Sequence, residues 1–221
     1  MIKGNLKTSV SDFDKILDFY DKIKSFDYGF VSNGKRYTGK ILDEEKTFDN
    51  YKSMSPLSVE KNEICICWDA VRYEAYWFSK NVPNIRYKCY YCEYEPRIGN
   101  SHTWLVFTYN NEEYVFEQSW RKHQGDKKLS KLNKNDMLTY ITDIPKDQHR
   151  TSELKEAKYI LIEYDPLKER LGLSTNEFMN YKWTHGKMIE TNCEDKNDIE
   201  SVFQFYDADS NTRSKFSRLI K

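Results

Sequence analysis

Residues 101–120 read SHTWLVFTYNNEEYVFEQSW, two runs of aromatic and β-branched residues joined by Asn110-Asn111. This segment constrains the fold more than any other. A two-residue hairpin turn needs left-handed backbone, which asparagine tolerates, and fixing the turn length fixes the register of both strands. With Asn110-Asn111 as the turn, Tyr109 pairs with Glu112, Val106 faces Val115, Trp104 faces Glu117 and His102 faces Ser119. His102 and Glu117 then share one face as diagonal neighbours, about 7–8 Å apart at the backbone and within side-chain reach. A three-residue loop would separate them. Leu105, Phe107, Tyr114 and Phe116 occupy the opposite face. Both faces are largely apolar, so the hairpin is expected inside a covered sheet.

A buried imidazole beside a carboxylate is a general base with its orienting group, and it needs a nucleophile. Cys67 is the candidate. The polar stretch Glu60–Glu63 passes at Cys65–Lys80 into a helical pattern, in which Val71, Ala75 and Phe78 share a stripe widened by Ala70, Tyr73 and Trp77. Cys67 therefore belongs at the start of that helix. Unpaired N–H groups and the positive end of the dipole favour a thiolate there, and the same groups suit an oxyanion. For Cys67 alone a buried structural thiol is the commoner fate; with His102 and Glu117 the catalytic reading is preferred. Asn62, Trp68 and Trp104 are the candidates for a second oxyanion donor or a substrate wall. Asp69 is expected as a first-turn residue favouring the dipole rather than as an acid.

The segment ICICWDAV, the HTW triplet 35 residues after Cys67 and the FEQSW segment 15 residues beyond His102 resemble the three motifs of the transglutaminase-like superfamily, over roughly residues 55–120. More narrowly, they resemble a bacterial subgroup of that superfamily. The resemblance implies an α+β, papain-like fold in which N-terminal helices pack on an antiparallel sheet. It also implies Cys67 as nucleophile, His102 as base and Glu117 as acid. Two positions depart from the pattern. Cys65 stands where a glycine two residues before the nucleophile is usual, and Glu117 where most members have aspartate. The implied activity is a cysteine peptidase or amidase acting on a protein or peptide amide, peptide or glutamine side chain, through a thioacyl intermediate and with no metal or organic cofactor. A non-catalytic protein-binding module of the same fold is the alternative.

Other uses of the cysteines fit less well. Cys65, Cys67, Cys89 and Cys92 provide the four sulfurs of a structural zinc site. Yet Cys89 and Cys92 sit in a strand-like run, where an i, i+3 pair points to opposite faces. The charge balance is 35 basic to 35 acidic residues, which gives no footprint for a nucleic acid. Aromatics at 15 % argue for an ordered core. Met1–Lys15 has no apolar leader region and no stretch is long enough to span a bilayer, so a cytoplasmic protein without membrane contact is expected. His123, His149 and His185, and the basic residues Arg213 to Lys221, read as solvated surface.

Further elements are expected as follows: a helix over Val10–Phe26 capped by Ser11, a polar hairpin or loop around Asn33-Gly34, and a short Ser55-Pro56 helix. Strands are expected at Ile85–Tyr94, His102–Tyr109, Glu113–Trp120 and Ala157–Tyr164. Helices are expected over Leu129–Ile144 and, from a Ser174/Glu177 capping box, to about Lys182. After Gly186 the chain is acidic and polar up to Val202–Tyr206. Residues 1–165 form the expected catalytic domain, and 166–221 a helical extension packed on it.

Overall fold

The computed structural model describes residues 10–39, 41, 47–94, 101–117, 129–131 and 158–203. Helix α1 (Asp12–Ile23) starts where Ser11 accepts the Asp14 N–H at 3.1 Å, and it buries Ile16, Phe19, Tyr20 and Ile23. Strands β1 (Asp27–Ser32) and β2 (Lys35–Thr38) turn through Asn33 and Gly34, both at positive φ. After the 3-10 turn Thr47–Asn50 come α2 (Pro56–Asn62), β3 (Ile64–Cys65) and α3 (Cys67–Asn81). Strand β3 pairs in parallel with β1, which completes a three-stranded sheet of order β2-β1-β3.

The chain then builds β4 (Arg86–Tyr94), β5 (Ser101–Tyr109), β6 (Glu112–Phe116), β7 (Ser130–Lys131) and β8 (Tyr159–Tyr164). It continues into α4 (Thr175–His185), β9 (Lys187–Thr191) and α5 (Lys196–Phe203). The large sheet is antiparallel throughout, in the order β7-β6-β5-β4-β8-β9. The class is α+β, with five α-helices among the described residues.

The hairpin register is the one the two-residue turn dictates: Val106 pairs with Val115 and Tyr109 with Glu112, while Asn110 and Asn111 stand at φ 50° and 64°. Leu105, Phe107, Tyr114 and Phe116 enter the main core between the sheet and the helices. There Phe19 stacks on Trp77 with centroids 4.1 Å apart, and Phe78 meets both Phe107 and Phe116. Truncating a ring so placed costs about 3–5 kcal/mol. Tyr90, Cys92, Trp104, Val106, Val115, Tyr159 and Leu161 form a second buried cluster, so the sheet is covered on both faces.

Three expectations change. Ser130–Lys131 is a strand on β6 rather than the start of a helix; residues 132–144 lie outside the described residues. Beyond Gly186 the polar stretch holds β9, an edge strand with a half-exposed surface that masks its alternation, and α5. Asp195 accepts the Asn197 and Asp198 N–H groups ahead of α5, and Ile199 and Val202 bury its inner face. Residues from 166 onward thus supply a strand of the same sheet as well as helices. Ser53 ties them to the front of the chain, exchanging hydrogen bonds with Leu173 and accepting one from Gly172. No helix among the described residues is long and apolar enough to cross a membrane.

Candidate active site

The thiol's position follows from three local choices. Ser55 caps α2 and Pro56 opens it. Glu63, in left-handed backbone at φ 49°, ends it and turns the chain into β3. Ile66 is extended and serves as the N-cap of α3, but it offers no side-chain acceptor. Cys67 is therefore the first residue of a helix whose leading N–H groups receive no cap from the residue before it. The sharp turn into this segment is made at Glu63, and Cys65 is an extended, buried strand residue.

Beyond the last β5–β6 pair, the ring of His102 and the carboxylate of Glu117 meet, Nε2 to Oε2 at 2.6 Å, each side chain 2 % exposed. The Tyr20 hydroxyl donates to the Glu117 carbonyl at 3.1 Å and fixes that backbone. The Cys67 sulfur is near enough to the imidazole to favour its protonated form. Burial works against a charged ring, but the Glu117 carboxylate and hydrogen bonding to Cys67 and Glu117 outweigh it and raise His102 to about 10. The imidazole thus holds its proton at neutral pH, with Nε2–H donating to Glu117. One sulfur, one ring and one carboxylate come together from the start of α3, from β5 and from the residue just past β6.

The other expected residues divide. Trp104 lies beside the His102 ring, nearly parallel at 18° with centroids 5.9 Å apart. Trp68 packs among Tyr51, Phe48 and Phe178, and its buried Nε1 has no hydrogen-bond partner among the described residues. Asn62 is not part of the site: its amide donates to the Ser58 carbonyl at 2.8 Å, within α2. Asp69 is buried and structural, accepting from the Met54 N–H at 2.7 Å and the Tyr51 hydroxyl at 3.0 Å. Burial dominates over these bonds and pushes its carboxyl up to about 7.

Two residues near the triad had no signal in the motifs. Tyr28 lies beside Cys65 in the parallel β1–β3 pair, and its phenol is close enough to Cys67 for the two groups to act on each other electrostatically. Burial, followed by the neighbouring Cys67 and Glu117, holds this phenol well above its usual range. Glu74 lies seven residues beyond Cys67, two turns along α3 and on the same side of it. It is fully enclosed, and its carboxyl is pushed well above the ordinary range by burial and by Glu117.

No family model, curated protein or solved structure matches this chain. The site therefore rests on its own geometry. Cys89 joins the main core and Cys92 the second cluster, so the pair points to opposite faces of β4. No cluster of three metal-ligating side chains forms among the described residues.

Proposed function

We propose that the chain is a cysteine-dependent hydrolase of transglutaminase-like, papain-like architecture, cleaving an amide bond in a protein or peptide. The observation that carries this reading is the approach of Cys67, at the start of α3 where Ile66 offers no side-chain cap, to a His102 ring bonded to Glu117 at 2.6 Å. The order of helix-start cysteine, strand histidine and next-strand acid supports the fold assignment.

In this mechanism the Cys67 thiolate adds to the carbonyl carbon, and the oxygen takes up negative charge towards the Cys67 N–H. When the tetrahedral adduct collapses, the C–N bond breaks and the His102 imidazolium delivers its proton to the departing nitrogen. Water then attacks the thioester. His102 accepts a proton from that water, and the acid leaves as the C–S bond breaks. Glu117 keeps the ring oriented and its charge compensated throughout.

The test uses p-nitrophenyl acetate with the intact chain. The expected result is a burst of p-nitrophenolate approaching one per chain, with the acetyl adduct on the Cys67 peptide and its loss in Cys67→Ala. A burst that survives Cys67→Ala contradicts the mechanism. An intact thiol that never acylates favours a protein-binding module.

A further inference from the structure

Glu74 is a buried acid for which the mechanism has no use. It is 1 % exposed, and its Oε2 has no hydrogen-bond partner among the described residues. Such orphaned polar atoms are rare inside folded chains. The charges of its own helix do not serve it. Asp69 and Arg72 project from the far side of α3, where Tyr51 and Met54 hold the first and Glu169 the second.

The packing of α3 on the hairpin places this acid. Cys67, Glu74 and Phe78 share one stripe of the helix. Phe78 meets Phe107 and Phe116, with centroids 5.4 and 5.5 Å away, so the stripe faces β5 and β6. Glu74 stands one turn nearer the nucleophile than Phe78, and Glu117 directly follows Phe116. Helical side chains lean toward the N-terminus of their helix, which carries the Glu74 carboxyl toward Glu117 and the His102 ring. The titratable groups acting on it are Glu117, His102 and Cys67, and it acts in turn on Cys89 of β4; the only cation among these is the ring. Two carboxylates enclosed together repel, so each favours the protonated form of the other.

We infer that Glu74 and Glu117 are an acid pair carrying one negative charge between them beside His102, with Glu74 a positioning residue whose proton confines that charge to Glu117. Removing the Glu117 charge frees Glu74 to ionise and to replace it as the counter-ion of the ring. The importance of the pair for turnover rests on the catalytic reading of Cys67, and the test separates the two.

The experiment titrates the His102 ring by NMR, with His102→Ala identifying its signal, and measures iodoacetamide labelling of Cys67 in the same proteins. These are the unaltered chain, Glu74→Gln, Glu117→Gln and the double variant, with thermal unfolding as the check on folding. Glu74→Gln should leave the ring's midpoint nearly in place, because an amide replaces a neutral acid. Glu117→Gln should lower it, yet the ring should still bind its proton about tenfold to a thousandfold more tightly than in the double variant, where no carboxylate remains to take over. Equal midpoints in Glu117→Gln and the double variant overturn the inference. A fall in Glu74→Gln as large as that in Glu117→Gln also overturns it, since Glu74 would then be ionised in the resting site. Should Glu117→Gln fail to fold, infrared difference spectra at pH 7 read the pair without it: Glu74→Gln should lose one protonated-carboxyl band, and an unchanged spectrum overturns the inference. Midpoints that move as expected while Cys67 labelling ignores every variant would uphold the acid pair and contradict the catalytic reading.

Discussion

Helix α3 carries the nucleophile, yet Asp69, Arg72 and Glu74 on it are all buried. Asp69 and Arg72 find partners outside the helix, and for Arg72 the decisive one is Glu169. Its two oxygens each hold a cation, Arg72 Nη2 at 2.7 Å and Lys182 Nζ at 2.7 Å, with all three side chains 3 % exposed or less. The Arg72 guanidinium also donates to the Met54 and Pro166 carbonyls. Lys182 sits over the rings of Tyr164 and Tyr91. Glu169→Gln removes the negative charge while keeping the shape, which leaves two cations enclosed together. Removing one partner of a buried pair costs about 3–5 kcal/mol. For a chain of this size each kcal/mol moves Tm by about 2–4 °C, so Tm should fall by roughly 6–20 °C.

The pH of the assay matters. Burial dominates at Lys182 and lowers it to about 7, so at pH 6 both cations are present and the loss is largest. At pH 9 the lysine sheds its proton and the loss should shrink. Thermal unfolding followed by circular dichroism at both pH values measures this. A Tm change below about 2 °C at pH 6, at most a third of the smallest expected fall, would refute the reasoning.

Two further outcomes are expected. Because Asn111 stands at φ 64°, Asn111→Val should destabilise the hairpin by about 1–2 kcal/mol while Asn111→Gly should not, as read from urea midpoints. The Asp69 carboxyl is raised to about 7 in the folded chain, so the folded state binds a proton there that the unfolded state has released. Its contribution is fully present below the unfolded value near 3.8 and is lost as pH rises through about 7. Asp69→Asn should therefore flatten the stability profile between those limits, and a profile unchanged from the parent would contradict this.

The hairpin and its site were legible because their information is local. Asn110-Asn111 sets the register, and the register alone places His102 beside Glu117. Ser11, Ser55 and the Ser174/Glu177 box mark helix starts through bonds spanning three residues, and these too were readable. The rest depends on partners remote in sequence. Arg72 meets Glu169 across 97 residues, and nothing near either one announces the other. Tyr28 comes near the nucleophile only because β1 and β3 pair in parallel, a contact between non-consecutive strands that alternation of polar and apolar residues cannot reveal. Asn62 was misplaced for a related reason: as a polar residue just ahead of the cysteine it looked available, but at the end of a short helix its amide is taken by the carbonyl four residues earlier.

The pairing of sulfur and imidazole is tested most directly by iodoacetamide kinetics near neutral pH, resolved by cysteine. Cys67 should react far faster than Cys65, Cys89, Cys92 and Cys193, all of them buried thiols, and His102→Ala should slow it while leaving the other four unchanged. Five cysteines reacting at similar rates, or a Cys67 rate indifferent to the loss of His102, would contradict the account.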